Sequence, residues 1–426
     1  MCFSSIADYV TAMPTYFNSP VCGNRVTSMG GAYTAVSDDA AGLCYNPAGL
    51  AYALTTKGTD SSTSYVQASK RIYGVASDGS AYTFRASGVS GYIGSYTLDP
   101  ILIGQIPVAI VLDVPQIADR HQSIEFGALS TGVESGNQHL TSNEQTKNLY
   151  FGSAHKFTWG SAGVSFQMRD YILKTTQGVS AILKDKTGSL QMMQVSQHRR
   201  SEVIEALLNF GAMLPLESLN TKIGLAVTLG KPVKQFLSGE HNIVSAKISP
   251  TSTGEPDTYK SDALTRSKIN VESSGIRKSQ MKARFGIATN FDKKLLVSSD
   301  LSRVVPEEYI GSISHEGAQP VNNGSLGLEW SARQNTILSL GLYTNLDTQR
   351  PLQINDVTPE SGEHLDFYGV AAGINVEDGT SIYGASVNWQ HGQGNVMGSS
   401  VEDRVQYSKQ IATEIQFSIN LSARIP

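Results

Sequence analysis

The sequence predicts an all-β protein: an antiparallel transmembrane β-barrel of about 14 strands with an N-terminal plug, or hatch, inside its lumen. Two observations predict the barrel. Apolar and polar residues alternate with period two over most of the chain, and the connections between these segments are short and long in alternation. A third observation predicts the plug, because residues 1–57 are rich in small side chains and do not alternate. Residues 58–426 are assigned to the barrel.

The composition of the 426-residue chain fits a barrel of this kind. Charged residues make up 16 % of the chain, against a usual level of about 25 %. The mean hydropathy of −0.16 is expected when each lipid-facing apolar residue alternates with a polar lumen-facing one. No apolar run approaches the roughly 18 residues that a membrane-spanning helix needs. The net charge of −4 gives no basic surface for nucleic acid, so nucleic acid is excluded as a partner.

The period-two alternation defines the strands one by one. In the segment 203–214, Leu208, Phe210 and Leu214 share one face, while Glu205 and Asn209 share the other. The same pattern recurs down to the last strand. Strands are predicted at 60–74, 80–97, 105–114, 147–157, 161–174, 203–214, 221–231, 280–290, 294–304, 323–332, 336–345, 364–376, 380–390 and 406–424.

The connections distinguish a membrane barrel from a soluble β-sandwich, which also alternates. Short turns at one end and long loops at the other are the arrangement of outer-membrane barrels, with short periplasmic turns and long extracellular loops. The polar face also carries many Gly and Ser residues, which suits a crowded lumen. Short turns are predicted near 158–160, 215–220, 291–293, 333–335 and 377–379. Long polar loops are predicted near 115–145, 175–201, 231–279, 306–322, 346–363 and 392–404.

All three cysteines lie in the first 44 residues. In an oxidising compartment two of them can pair, and Cys22 with Cys44 is the preferred disulfide. Cys2 is then left over; it carries lipid if it begins a processed lipoprotein. The alternative is that all three cysteines are small unpaired residues. The sequence contains no zinc-type spacing such as CxxC, so we expect neither a metal nor a cofactor.

The plug carries a motif that resembles a known family. The motif runs from Gly30-Gly31-Ala32 through Asp38-Asp39-Ala40 to Asn46-Pro47-Ala48-Gly49-Leu50, and it covers roughly 30 residues. It is similar to the FadL/TodX family of outer-membrane transporters for hydrophobic compounds, which includes the PorV-type barrels of a protein secretion system. The resemblance implies a 14-stranded barrel in the bacterial outer membrane, closed by an N-terminal hatch.

The resemblance also implies a function. Members carry fatty acids, hydrocarbons or similar hydrophobes without an energy source, and release them sideways through a gap at a kinked strand. Burial of apolar surface, worth about 0.8 kcal/mol per CH₂, would favour such a ligand over water. Pro107 in the third predicted strand is the candidate kink, because proline removes a ladder donor; the alternative is that Pro107 begins the strand.

Residue roles follow from the motif only within the hatch. Asn46, Pro47 and Ala48 match the element that shapes the hatch near the ligand site, and Gly30 and Gly31 match its glycine pair. Arg25, Asp38 and Asp39 would be buried plug groups that pair with lumen charges. The candidate lumen partners are Lys282, Arg284, Glu329 and Arg333. The alternative is that the motif serves plug packing and contacts no ligand.

Two other classes of function remain to be compared. An enzyme is not expected, because no GxSxG elbow is present and the histidines are scattered. A PorV-like structural or partner-binding barrel is the main alternative, since the segment 231–279 is unusually long for a loop and could bind a protein partner. The expected partners are therefore a hydrophobic small molecule (fatty acid, hydrocarbon or lipid), the lipids of the outer membrane, and a protein bound through the long loops.

Overall fold

The computed structural model describes most of the chain. The described residues are 22–53, 60–73, 75–79, 82–91, 94–103, 106–126, 133–184, 190–248, 260–271, 281–292, 294–306, 319–348, 363–378, 381–401 and 404–425. Cys2 lies outside these residues. None of the helices in the described part of the chain is long and apolar enough to cross a membrane.

The described residues of the plug form three short helices joined by tight turns. These are α1 (Asn24–Ser28), α2 (Gly42–Tyr45) and α3 (Leu50–Ala53), with a 3-10 turn at Pro47–Gly49 between α2 and α3. Helices this short do not hold together on their own. Their stability therefore depends on packing against the barrel wall and against each other.

In the described part of the chain, seventeen strands follow the plug in a single sheet. The strands are β1 (Asp60–Tyr73), β2 (Val75–Gly79), β3 (Tyr82–Gly91), β4 (Gly94–Ile103), β5 (Ile106–Phe126), β6 (Val133–Phe157), β7 (Gly160–Lys184), β8 (Leu190–Leu216), β9 (Thr221–Ile248), β10 (Lys260–Val271), β11 (Met281–Phe291), β12 (Leu295–Val305), β13 (Val321–Arg333), β14 (Thr336–Asn345), β15 (Glu363–Asp378), β16 (Ser381–Val401) and β17 (Arg404–Ile425).

The antiparallel pairings close the sheet into a ring. Strand β1 pairs with β17 from Asp60 opposite Ile425 to Tyr73 opposite Ala412, and it also pairs with β4. The ring runs through β1, β4 to β9 and β11 to β17, which is 14 strands. The predicted all-β barrel with a plug is therefore confirmed. Strands β2, β3 and β10 lie outside the ring, where β3 pairs with β5 and β10 pairs with β9.

The predicted alternation matches the two faces of the wall. Leu208, Phe210 and Leu214 of β8 are exposed on the outer face, whereas Glu205 and Asn209 are buried on the inner face. The same division holds on other strands that the sequence analysis singled out. The exposed residues include Leu225, Val227, Leu229, Phe285, Ile287, Leu326, Trp330, Leu338, Leu340, Leu342, Val370, Ile374, Ile415, Phe417 and Ile419.

The short turns also lie where the pattern predicts them. A two-residue turn at Thr158 and Trp159 joins β6 to β7, and a 3-10 turn at Glu217–Leu219 joins β8 to β9. Between β15 and β16, Asp378 pairs with Ser381.

Four of the predicted long loops are largely strand instead. Strands β5 to β9 continue through most of 115–145, 175–201 and 231–248 as paired hairpins. Strand β10 adds 260–271 of the predicted loop 231–279, and β16 and β17 pair through most of 392–404. The apolar–polar alternation is lost in these segments because a strand outside the lipid has water on both faces, and polar residues are favoured on each of them. The predicted strand at 80–97 is also wrong in its extent, because β3 ends at Gly91 and β4 begins at Gly94.

Candidate functional site

The described part of the plug lies near the short-turn end of the lumen, where it contacts strands β5 to β9 and β11 to β17. Its buried apolar residues, such as Val26, Tyr33 and Leu43, form one cluster with Ala109 and Val111 of β5. A disulfide joins Cys22 to Cys44, with a Cα–Cα distance of 6.6 Å. This bond closes the segment 22–44 into a covalent ring, so most of the described part of the plug is one cross-linked unit.

Arg25 of α1 is the centre of a charged network that ties the plug to the wall. Its Nε and Nη2 atoms donate to Glu329 Oε1 and Oε2 of β13 at 2.6 and 2.7 Å. Its Nη1 atom donates to Asp38 within the plug. The bidentate geometry fixes the guanidinium plane as well as its position. Of the four lumen partners that the sequence offered, Glu329 is the one that binds Arg25.

The other plug acid, Asp39, is held through Tyr33. The Tyr33 hydroxyl donates to Asp39 Oδ2 at 2.7 Å, and Arg25 lies over the Tyr33 ring, 5.6 Å from its centroid. Burial raises the pKa of Asp39, and repulsion from Asp38 adds to the rise, while the attraction of Arg25 opposes it. Burial likewise raises the pKa of Tyr33 well above its ordinary value.

Asp300 of β12 is a second anchor on the wall. Its Oδ2 atom accepts the backbone N–H groups of Tyr33 and Thr34 at 2.9 and 2.8 Å. Both bonds are buried, so they stabilise the turn that follows Gly31. The sequence analysis did not include Asp300 among the candidate lumen partners. Its inward position between Ser298 and Ser302 was the available signal.

The motif residues Asn46, Pro47 and Ala48 hold the end of the plug. The Asn46 amide Nδ2 donates to Thr34 O at 2.8 Å and to Ala212 O of β8 at 3.1 Å. Its Oδ1 atom accepts the Ala48 N–H and so caps the 3-10 turn that begins at Pro47. Ser161 of β7 donates to Ala48 O at 2.9 Å. Asn46 is fully buried, and its contacts here join one part of the plug to another and to the wall.

Nine inward-facing glycines form a seat on which the plug rests. At each of them an added Cβ would lie within ordinary or closer contact of a plug atom. The glycine seat consists of Gly152, Gly163, Gly211, Gly224, Gly286, Gly327, Gly341, Gly373 and Gly384. The seat explains the abundance of glycine on the polar face of the strands: the plug backbone approaches the wall more closely than a side chain would allow.

Gly30 and Gly31 form the turn that lies on this seat. Both have left-handed backbones, with φ of 63° and 78°, a conformation that favours glycine. A Cβ on Gly30 would lie 3.0 Å from the backbone nitrogen of Leu342 on β14. Both glycines are therefore required by the backbone itself, and Gly30 also by its close approach to the wall.

Arg284 and two lysines bind other parts of the plug. Arg284 donates to Cys44 O at 2.7 Å, and its guanidinium lies 4.6 Å from the Tyr45 ring centroid. Lys156 and Lys222 lie over the Tyr52 ring of α3, at 5.2 and 4.8 Å. Lys282 is buried in the wall, and Arg333 is exposed at the end of β13.

Pro107, the candidate kink, is the second residue of β5 and pairs with Leu102 of β4. The ladder is regular at this pair. The register shifts elsewhere in the same sector, between Leu98 and Ile101 of β4 and between Asp113 and Gln116 of β5. A kink at Pro107 stays a prediction.

Comparison with known proteins supports the fold. No protein-family model matches the chain, and no curated protein matches it in sequence. Solved structures do match. A deltaS2 mutant of the TodX monoaromatic hydrocarbon channel aligns with a TM-score of 0.58 and 13 % identity, covering 96 % of this chain and 100 % of its own.

Two further structures align in the same way. A FadL homologue from Pseudomonas aeruginosa has a TM-score of 0.54 and 12 % identity, over 97 % of this chain and 99 % of its own. The toluene transporter TbuX from Ralstonia pickettii has a TM-score of 0.53 and 12 % identity, over 96 % of this chain and 100 % of its own. The resemblance expected from the hatch motif is thus confirmed, and this chain has the plugged-barrel fold of the FadL and TodX structures.

Proposed function

We propose that this chain is a passive channel of the bacterial outer membrane for hydrophobic small molecules. The observation that carries the proposal is a closed antiparallel wall with an apolar outer face and a plug bound to its inner face. A plug held by Arg25, Asp300 and Asn46 does not suit an open channel for polar solutes. The structures that share the fold include a monoaromatic hydrocarbon channel and a toluene transporter, which supports a hydrophobic solute here.

The location follows from the wall itself. A closed barrel leaves no unpaired sheet edge in the lipid, which is why barrels can cross a membrane. Trp159, Phe291, Trp330 and Tyr383 are exposed near the short turns, where an aromatic girdle would meet the membrane surface. This end would face the periplasm.

The charges around the plug favour a neutral hydrophobe over a fatty acid. Arg25 binds Glu329 and Asp38, Arg169 binds Glu205 at 3.2 Å, and Arg284 binds plug carbonyl groups. Arg25 and Arg169 are already paired with carboxylates, so a ligand carboxylate would compete with Glu329, Asp38 or Glu205 for them. A hydrocarbon carries no charge and therefore does not compete for these ion pairs.

We place the exit of the ligand in the sector of β4 and β5. The proposal rests on the two register shifts in this sector and on Pro107, which has no amide hydrogen to donate. Backbone groups that leave the ladder weaken the wall locally. A hydrophobe released there would enter the lipid without crossing water.

Native mass spectrometry with solvent extraction tests the proposed function on the full chain in detergent and in nanodiscs. Toluene and benzoate form a matched pair, because they share the ring and differ in charge. We expect toluene to bind and benzoate not to bind. Equal binding of both would refute the preference for neutral ligands. An empty barrel that retains a protein partner would refute transport and favour the partner-binding alternative.

Asn46→Ala gives the second arm of this test. The substitution removes the hydrogen bonds to Thr34, Ala212 and Ala48, so we expect a displaced plug and weaker toluene binding. Asn335→Ala, in the exposed turn between β13 and β14, is the matched control and should bind as the unchanged chain does.

A further inference from the structure

The plug is attached to the wall at both ends of its described segment, and Asp300 of β12 holds the Tyr33–Thr34 turn between them. The first part, α1, contacts strands β13 to β16: Arg25 binds Glu329, and the Asn24 amide donates to Asn375 at 2.8 Å. The second part, from Asn46 to α3, contacts β7 and β8 through Ala212 and Ser161. The first part and the Tyr33–Thr34 turn lie inside the disulfide ring, whereas the second part lies outside it.

The disulfide holds the chain in the conformation from which α1 starts. Cys22 has a left-handed backbone, with φ of 72°, and Gly23 follows at 145°. The left-handed region is unfavourable for a residue with a Cβ, so Cys22 needs an outside restraint to stay in it. The bond to Cys44 is such a restraint. Arg25 is three residues further on, and its five-residue helix is too short to keep its shape alone.

The other end of the bond is held by the wall. Arg284 donates to the carbonyl oxygen of Cys44, so Cys44 stays in place whether or not the disulfide is intact. Cys22 is fully buried and Cys44 only partly, so a small reductant would approach from the side of Cys44. Breaking the bond would therefore free the α1 end and leave the Asn46 end attached.

We propose that the Cys22–Cys44 disulfide is a redox-controlled latch on the plug. With the bond intact, α1 closes the lumen along β13 to β16. A dithiol reductant gives two electrons and two protons to the bond, which breaks to form the Cys22 and Cys44 thiols while the reductant closes to its own disulfide. The α1 end then leaves the wall and opens a passage beside β13 to β16. This regulation rests on the proposed function, since it acts on the same plugged lumen.

Ion conductance in planar bilayers tests the latch on the full chain. We expect dithiothreitol, added after reconstitution, to raise the conductance several-fold, and oxidation with diamide to reverse the rise. The Cys22→Ser/Cys44→Ser double variant should conduct at the raised level with or without reductant. Cys2→Ser keeps the disulfide and should respond as the unchanged chain does.

Two results would overturn the latch. One is unchanged conductance in protein whose disulfide is shown by thiol labelling and mass spectrometry to be fully reduced. The other is loss of the heat-modifiable gel shift of a folded barrel on reduction, because the bond would then support the barrel and not the plug alone. Reductant acts on barrels that are already folded, so the test stands even if the double variant does not fold. Failure of toluene to bind would count against the proposed function and leave the conductance result intact.

Discussion

The outer and inner faces of the wall are made by the same strands but follow different rules. On the outer face of β14, Leu338, Leu340 and Leu342 are exposed and interchangeable in kind. On its inner face, Gly341 lies against the backbone of Gly30 and Tyr343 donates to Asn388 at 2.7 Å. Lipid is a uniform solvent and requires only apolar character. The plug is a single partner, so each inner position is specified by one contact.

Leu340→Arg would break the outer rule and has the largest expected effect. Leu340 lies halfway along β14, so a guanidinium there would face the lipid interior, at a cost of about 3 kcal/mol. Guanidinium-titrated folding into lipid vesicles measures this loss. Thr336→Arg, at the short-turn end of the same strand, is the control and should cost about 0.5 kcal/mol. Equal losses at both positions would contradict the assigned depth.

Glu329→Gln would break the inner rule at its charged contact. The variant loses the carboxylate that accepts both Arg25 bonds, and we expect the plug to be less stably held by about 2 kcal/mol, with the barrel unaffected. Hydrogen exchange of plug amides, including those of Tyr33 and Thr34, measures the change. Glu217→Gln, in an exposed turn at the same end, should leave exchange unchanged. Unaltered plug exchange in Glu329→Gln would show that this pair does not hold the plug.

Gly341→Ala would test the glycine seat by one methyl group. The added Cβ would overlap the backbone of Gly30 and Met29, and overpacking of this kind costs about 1.5 kcal/mol. We expect faster exchange of plug amides and a higher ion conductance. Gly324→Ala on β13 is the matched control, because the nearest atom to its Cβ would be 4.0 Å away. If plug amides exchange no faster and conductance is no higher in Gly341→Ala than in Gly324→Ala, the glycine seat does not position the plug.

Asp39→Asn tests a plug carboxyl group and has the smallest expected effect on the stability of the plug. Burial raises the pKa of Asp39 above its ordinary 3.8, so the folded plug holds this proton more tightly than the unfolded chain. Its contribution to stability is therefore full below the ordinary pKa and is lost as the pH rises through the raised pKa. We expect plug amides to be better protected, after correction for intrinsic exchange rates, at the acid end of this range.

The Asn variant should flatten this part of the pH profile, because it cannot ionise. Asp378→Asn, at the exposed end of β15, is the control and should keep the slope. An unchanged slope in Asp39→Asn would assign the pH dependence to another group.

The two faces also differ in how well the sequence predicts them. Lipid-facing residues such as Phe210 and Leu340 follow from period two alone, because each side chain obeys the same local rule. The plug contacts do not. Arg25 and Glu329 are 304 positions apart, and Asn24 and Asn375 are 351 apart, so no local pattern connects them. The sequence predicted that Arg25 would be paired but could not choose its partner.

The glycine seat and the lengths of the upper strands show the same limit. The sequence shows many glycines on the polar face of the strands. That they all contact the plug can be seen only once the position of the plug is known. The long hairpins were read as loops because residues with water on both faces do not alternate. The hatch motif around Asn46 predicted a plug, whereas its contacts with Thr34 and Ala212 needed the fold.

The strands are much longer on one side of the barrel than on the other, so the molecule is asymmetric in the plane of the membrane. Strands β6 to β9 have 25 to 28 residues, and β11 to β14 have 10 to 13. At about 3.3 Å per residue, β9 is some 50 Å longer than β11, its neighbour in the ring. The rim of described strands therefore has a high sector beside a low one. A particle approaching in the plane of the membrane from the side of β6 to β9 would therefore meet these long strands first.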